Sequence, residues 1–345
     1  MRARRPIHTD AALRDLTSED ETSRQFAAGQ LAHAILQDLR ETGPLWNAAS
    51  KHPRGFEATD ALLRALEDPH AVVRALAATG LGLLGDARVV PRVRSWLEHP
   101  GDPGDPRTSN HGEVLLRECA VIALTYVATV APSNGEQDQP TQLKHEIITQ
   151  LSRLLWSQHS EVRFQASLGL VEVTGASAES ELLGALDEEQ HPDVRFQIVY
   201  ALAHVDPPSE RLVARMCELL RGPERQDPIG FEAAMIVASA RHHDAGTRLL
   251  DALANTHERD RALEGLAALG PMAPEHAHTK LRKLAKNWWV PGVTRVRAAY
   301  ALARIRPDEG RQALDRMAQS LRPAIREAAR DARRGLVTLA KDGHA

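Results

Sequence analysis

The stretch ATDALLRALEDPHAVVRALAATGLGLLG, residues 58–85, carries two apolar periodicities divided by a stop. Ala58, Ala61, Leu62, Ala65 and Leu66 recur three and four apart, the spacing of one helical face. Asp68-Pro69 ends that helix, because proline has no N–H to donate and its ring clashes with the preceding turn. A second helix follows over 70–84. It closes at Gly85, the residue that most easily takes the left-handed backbone of a helix C-terminus. Each such pair leaves one apolar face uncovered and must bury it on another pair.

Copies of the second helix supply the neighbours. SRQFAAGQLA (23–32), VRALAATGLG (73–82), LRECAVIALT (116–125), VRFQASLGLV (162–171), VRFQIVYALA (194–203), TRVRAAYALA (294–303) and IREAARDARR (325–334) align on the pattern V-R-x-x-A-A-x-A-L-G. IGFEAAMIVA (229–238) and RALEGLAALG (261–270) are degenerate copies. With the Arg column as position zero the copies stand at 24, 74, 117, 163, 195, 230, 262, 295 and 326, about thirty to fifty residues apart, room for two short helices each. The expected pairs are 9–17 with 20–40, 57–67 with 70–84, 87–98 with 112–130, 141–157 with 160–174, 178–187 with 192–204, 209–221 with 229–240, 245–255 with 258–269, 274–287 with 292–304, and 309–320 with 322–340. Small Ala and Gly at the fixed columns let helices approach closely.

Composition agrees with an all-helical soluble chain. Of 345 residues 43% are apolar and 26% charged, while aromatics are only 4%, so the core must be built from aliphatic side chains. A net charge of −3 gives no overall positive field for a polyanion. Two cysteines, Cys119 and Cys217, form neither a disulfide framework nor a metal quartet, and both sit at helical core positions. The basic N-terminus leads into no apolar run, and no segment is long and apolar enough to span a bilayer. A cytoplasmic protein with no membrane partner is expected.

LEDPHAVVRALAATGLGLLGD (66–86), HSEVRFQASLGLVEVTG (159–175) and HPDVRFQIVYALAHV (191–205) resemble the HEAT repeat family, in particular its short bacterial form, the PBS-lyase HEAT-like repeat. The resemblance covers nearly the whole chain and implies a right-handed α-solenoid of about nine helix pairs. It implies one domain over 1–345, with caps over 9–40 and 309–340 and regular repeats over 57–304. In such stacks the Arg column resembles a ladder whose heads bond turn carbonyls or the acid of a neighbouring turn, so Arg74, Arg163 and Arg195 are read as structural. Two inserts, 99–112 and 131–140, are rich in Pro, Gly and polar residues and read as mobile loops.

Three columns stay free of the small-residue pattern: plus one, plus two and plus five. In the family this side of the second helix resembles the concave, ligand-contacting surface. Plus one carries Phe164, Phe196, Phe231, Leu263 and Val296; plus five carries Leu168, Tyr200, Met235 and Tyr300; plus two carries Gln197 and Glu232. Phe164, Phe196, Phe231, Tyr200 and Tyr300 are five of the eight Phe and Tyr residues, a concentration chance does not give. An outward apolar strip with a polar rim predicts a protein or peptide partner, or self-association. The competing reading is that curvature closes the groove on itself.

No chemistry rises from the remaining motifs. RHHDAG (241–246), THERD (256–260) and PEHAHTK (274–280) lack the i, i+4 histidine spacing of ligands on one helix, so no metal site is expected. Deoxyhypusine hydroxylase, a HEAT-like di-iron enzyme, sets His-Glu pairs on its second helices; here His145-Glu146 falls on a first helix and His257-Glu258 in a turn. No cofactor is implied, and no catalytic residue set can be named. The alternatives to a scaffold are a nucleic-acid binder working through the basic segments 278–297 and 316–336, with Trp288-Trp289 either stacking bases or capping helix ends, and a lyase-type subunit.

Overall fold

A computed structural model describes residues 8–98, 110–132 and 139–342, and among these every regular element is helical. The chain forms two compact units that meet between Ala201 and Leu202. The first holds α1 (Thr9–Asp15) and α2 (Glu21–Asp38), the single turn α3 (Ala48–Lys51), α4 (Gly55–Ala65) and α5 (Ala71–Leu83), α6 (Val90–Glu98) and α7 (Asn110–Val130), α8 (Gln139–Leu154) and α9 (Ser160–Thr174), and α10 (Glu179–Glu188) with α11 (Pro192–Leu202), whose last residue crosses the boundary. The second holds α12 (Glu210–Arg221) and α13 (Pro228–Ser239), α14 (Ala245–Ala252) and α15 (Arg259–Leu269), α16 (Ala277–Lys286) and α17 (Gly292–Ile305), and α18 (Pro307–Met317) and α19 (Pro323–Asp342). No helix among the described residues is long and apolar enough to cross a membrane.

Most of the expected inserts, 99–109 and 133–138, lies outside the described residues; what is described shortens them, since α7 already begins at Asn110 and α8 at Gln139.

Second helices pack on one another. In the first unit α5 lies between α2 and α7, and α7 packs on α9; in the second α13, α15, α17 and α19 follow in file. The fixed columns make these contacts. Ala77, Ala78 and Leu81 of α5, Ala120, Val121, Ala123 and Leu124 of α7, and Ala166, Ser167 and Leu170 of α9 are all buried, as are Ala298, Ala299, Ala301 and Leu302 of α17. Small residues are required here, not merely tolerated. A Cβ at Gly169 would lie 2.3 Å from the Thr125 hydroxyl of α7. Gly85 (φ +62°) ends α5 in the left-handed conformation, its N–H bonding the Gly82 carbonyl while the Asp86 N–H bonds that of Leu81.

The Arg column fastens both ends of each turn. Arg24, Arg74, Arg163, Arg195 and Arg326 each donate through Nη1 to the carbonyl six residues back, those of Ser18, Asp68, Ser157, Glu189 and Ser320, at 2.8–3.1 Å. Two copies lack Arg at position zero, carrying Gly230 and Ala262; in the second of them Arg259 donates from three residues earlier to the Leu253 carbonyl, again six back. Three of these columns also reach forward to an acid in the next pair's turn: Arg24 to Asp68 at 2.7 Å, Arg117 to Glu161 at 2.6 Å and Arg163 to Glu189 at 2.5 Å. Burial by itself would raise the Glu189 carboxyl. The bond from Arg163 and the backbone N–H groups of His191 and Gln190 outweigh it and hold the group below the ordinary glutamate value.

A carboxylate held low contributes stability above its unfolded pKa, and that contribution is lost as the pH falls through its folded one. Arg163→Met, which leaves Glu189 buried without its cation, should cost about 2–4 kcal/mol in urea unfolding at neutral pH. The penalty should shrink as the pH falls through the lowered folded value of Glu189, where its carboxyl protonates. A pH-independent penalty would mean that the arginine stem, and not its charge, does the work.

Candidate functional site

At about 100° per residue, plus five points almost directly away from the fixed columns, whereas plus one and plus two flank them. The structure separates these columns accordingly. Plus five stays half-open wherever it carries a large side chain: Ile122, Leu168, Tyr200, Met235 and Tyr300. Of the large apolar side chains at plus one, Phe164 and Phe196 of the first unit stay half-open.

In the first unit, α7 and α9 present one continuous face. Glu118, Ile122 and Tyr126 of α7 sit at plus one, plus five and plus nine, and Phe164, Leu168 and Glu172 of α9 repeat the spacing. On α11 Phe196 and Tyr200 stack on each other, ring centres 6.3 Å apart. Two carboxylates therefore stand among aromatic and aliphatic side chains. Burial raises the Glu118 carboxyl, and the charge of Glu161 adds to the rise; burial alone raises that of Glu172. The Tyr126 hydroxyl is pushed up too, by burial and then by the Glu172 charge. Among the described residues neither Glu118 nor Glu172 has an ion-pair partner. Column reasoning stopped at plus five and missed Tyr126 and Glu172, although another turn of the same helix would have reached them.

The second unit corrects the expected strip. Phe231 is 3% exposed, Leu263 1% and Val296 3%, so they belong to the core. Phe231 lies between the guanidinium groups of Arg248 and Arg261, each 5.2 Å from its ring centre. Glu232 is no rim residue: it is buried and held by both terminal nitrogens of Arg261 at 2.6 and 2.7 Å. Gln197 in the first unit is likewise buried. What remains open is a cavity of about 570 Å³ between α15, α17 and α19. Ala267, Val296, Tyr300 and Ala332 line it together with the charged Glu264, Arg297, Arg304 and Asp331.

Four arginines of the basic C-terminal copies are paired with acids. Arg282 pairs with Glu309, Arg297 with Asp260, Arg333 with Asp315 and Arg334 with Asp331. Trp288 and Trp289 stack at 4.0 Å but are 69% and 77% exposed, so they do not cap helix ends as the sequence suggested.

No protein-family model matches the chain, and neither does any curated protein. Solved structures do. YibA of Escherichia coli aligns with a TM-score of 0.56 at 14% identity, over 87% of this chain and 92% of that one. The fold is HEAT-like. The CpcE–CpcF complex of phycocyanin lyase from Nostoc sp. PCC7120 (19% identity, 91% of this chain and 95% of that chain, TM-score 0.36) and human deoxyhypusine hydroxylase in complex with glycerol (19% identity, 94% of each, TM-score 0.32) are HEAT-like as well. At those scores neither bears on the chemistry of this chain.

The two classes of aromatic should part company on mutation. Phe231→Asp should destabilise the second unit by about 3–5 kcal/mol, the toll of an uncompensated charge in a packed core. Leu168→Asp and Tyr300→Asp, at the half-open column, should cost less than about 1.5 kcal/mol and leave the helical circular dichroism intact. Equal losses at all three positions would show plus five to be core.

Proposed function

We propose that this chain is a non-catalytic HEAT-like scaffold, a right-handed solenoid of nine helix pairs, which holds a basic amphipathic segment of a partner protein on its second-helix face. One observation carries this reading: within an aromatic and aliphatic face stand two carboxylates, half-buried Glu118 and the more exposed Glu172, neither with an ion-pair partner among the described residues. An unpaired carboxylate is costly to desolvate, and a lysine or arginine docked beside it relieves that cost. Ile122, Tyr126, Phe164, Leu168, Phe196 and Tyr200 offer the apolar contact that the stem of such a residue and its leucine-like neighbours require. Helix-in-groove recognition uses this combination of apolar anchors and flanking charge. The C-terminal cavity under Tyr300, of the size that holds one or two large side chains, gives a further apolar anchor point.

The same charges argue against nucleic acid. Phosphates meeting Glu118 and Glu172 would be repelled, and four arginines of the C-terminal copies are already bound to acids. Nothing on either face favours a lyase-type chemistry.

The test is fluorescence anisotropy of a labelled amphipathic lysine–leucine helix against the full chain. Glu118→Gln with Glu172→Gln should weaken binding about tenfold or more, ~1.4 kcal/mol, and should not lower the melting temperature. Carboxyls with raised pKa values favour the folded state when protonated, and that contribution disappears as the pH rises through their folded values. Neutral replacements are therefore tolerated. A docked cation needs the ionised form, so affinity should fall as the pH drops through the raised folded values of these carboxyls. Unchanged affinity in the double variant, or tighter binding of an acidic peptide or of DNA with a steep salt dependence, would overturn the reading.

A further inference from the structure

The turn between α13 and α14 brings three unlike groups together away from the face described above. The Arg241 N–H bonds the Ala238 carbonyl and the His242 N–H that of Val237, with Arg241 in the left-handed conformation (φ +57°). This sharp reversal turns His242 and Asp244 back onto the C-terminal half of α12, where Cys217 is buried. Cys217 Sγ lies 3.6 Å from His242 Nδ1, and one ligand atom from each of Cys217, His242 and Asp244 falls within 4.8 Å of the others. Among the described residues, no other cysteine, histidine or acid joins this cluster of ligand atoms.

We propose that Cys217, His242 and Asp244 form a site for a single zinc-type divalent cation, which ties α12 to the turn before α14 and leaves a fourth position for water. Geometry is the first argument. Zinc–sulfur and zinc–nitrogen bonds of about 2.3 and 2.0–2.1 Å at a tetrahedral angle set the two ligand atoms about 3.6 Å apart. That is the separation found, with the backbone already shaped to hold it. Protonation state is the second. The Asp244 N–H points at His242 Nδ1 at 3.4 Å and the thiol lies on the same side, so Nδ1 is the unprotonated nitrogen, the one that can ligate a metal.

The surrounding groups are arranged as outer partners. Arg221 donates to Asp244 Oδ2, and His243 Nε2 lies 3.2 Å from Oδ1 while its ring stacks on His242 at 4.6 Å. These contacts fix both the carboxylate and the imidazole plane, as outer-shell groups do at metal sites. A nucleophilic role for the cysteine does not fit. Burial, and after it the Asp244 charge, pushes the Cys217 thiol up to about 11, so without a cation it is a protonated, unreactive thiol. A divalent cation reverses this by displacing the thiol proton to solvent and binding the thiolate. Thiolate and imidazole together select zinc and cobalt over magnesium or calcium.

The experiment is a titration of the chelator-treated full chain with Co²⁺, read by absorption and then displaced by Zn²⁺. The expected result is one equivalent bound, with a near-ultraviolet sulfur-to-cobalt charge-transfer band that Zn²⁺ abolishes. Cys217→Ser should remove the band, while Cys119→Ser should keep it. Arg221→Gln should retain the band but weaken binding ~10–100-fold, the usual effect of losing an outer partner. His242→Gln, read by the same band, guards against a Cys217 variant that fails to fold. Absence of the band in the parent chain, its survival in folded Cys217→Ser or His242→Gln, or its loss in Cys119→Ser would each overturn the proposal.

Discussion

A guanidinium that recurs in most helix pairs organises this chain. A short second helix begins with four backbone N–H groups unpaired, and the turn before it leaves carbonyls unpaired, so every copy must satisfy a polar turn beside an apolar core. The arginine at position zero reaches six residues back to a turn carbonyl, and in the first unit it reaches forward to Asp68, Glu161 or Glu189 of the next pair. These ion pairs are shielded, so each is directional and each fixes register as well as spacing. With register fixed, Gly82 and Gly169 meet α7 at separations that leave no room for a Cβ.

The functional face follows from that constraint. Once the arginine and the small residues commit one side of each second helix to its neighbours, the plus-five position faces the opposite way. Its neighbours at plus one and plus two lie at the edge of the packed side and go either way according to local partners. Phe164 keeps an open edge, while Phe231 is enclosed by the arms of Arg248 and Arg261. The same column thus serves recognition in one unit and packing in the other.

The legible part of the sequence was whatever repeats. Helix positions, the buried columns and the arginine ladder all recur, and averaging over copies makes each visible despite the weak copies at 230 and 262. Burial at the edge columns was not legible, because it depends on non-repeating residues such as Arg248 and Arg261 that approach from other helices. Glu172 and Tyr126 escaped notice for a different reason: they lie one turn past the aligned pattern, although their spacing from Leu168 and Ile122 pointed to them. The cluster at Cys217 was hidden by chain distance. RHHDAG offers no ligand spacing of its own, and only the reversal at Arg241 brings it against α12.

Amide hydrogen exchange of the full chain, with and without a saturating basic amphipathic helix, tests most directly whether the second-helix face is the recognition surface. The account predicts added protection over 118–126 of α7, 164–172 of α9 and 196–200 of α11, with the exposed first helices α4, α6 and α8 unchanged. Protection confined to those first helices, or spread evenly along the chain, would contradict it.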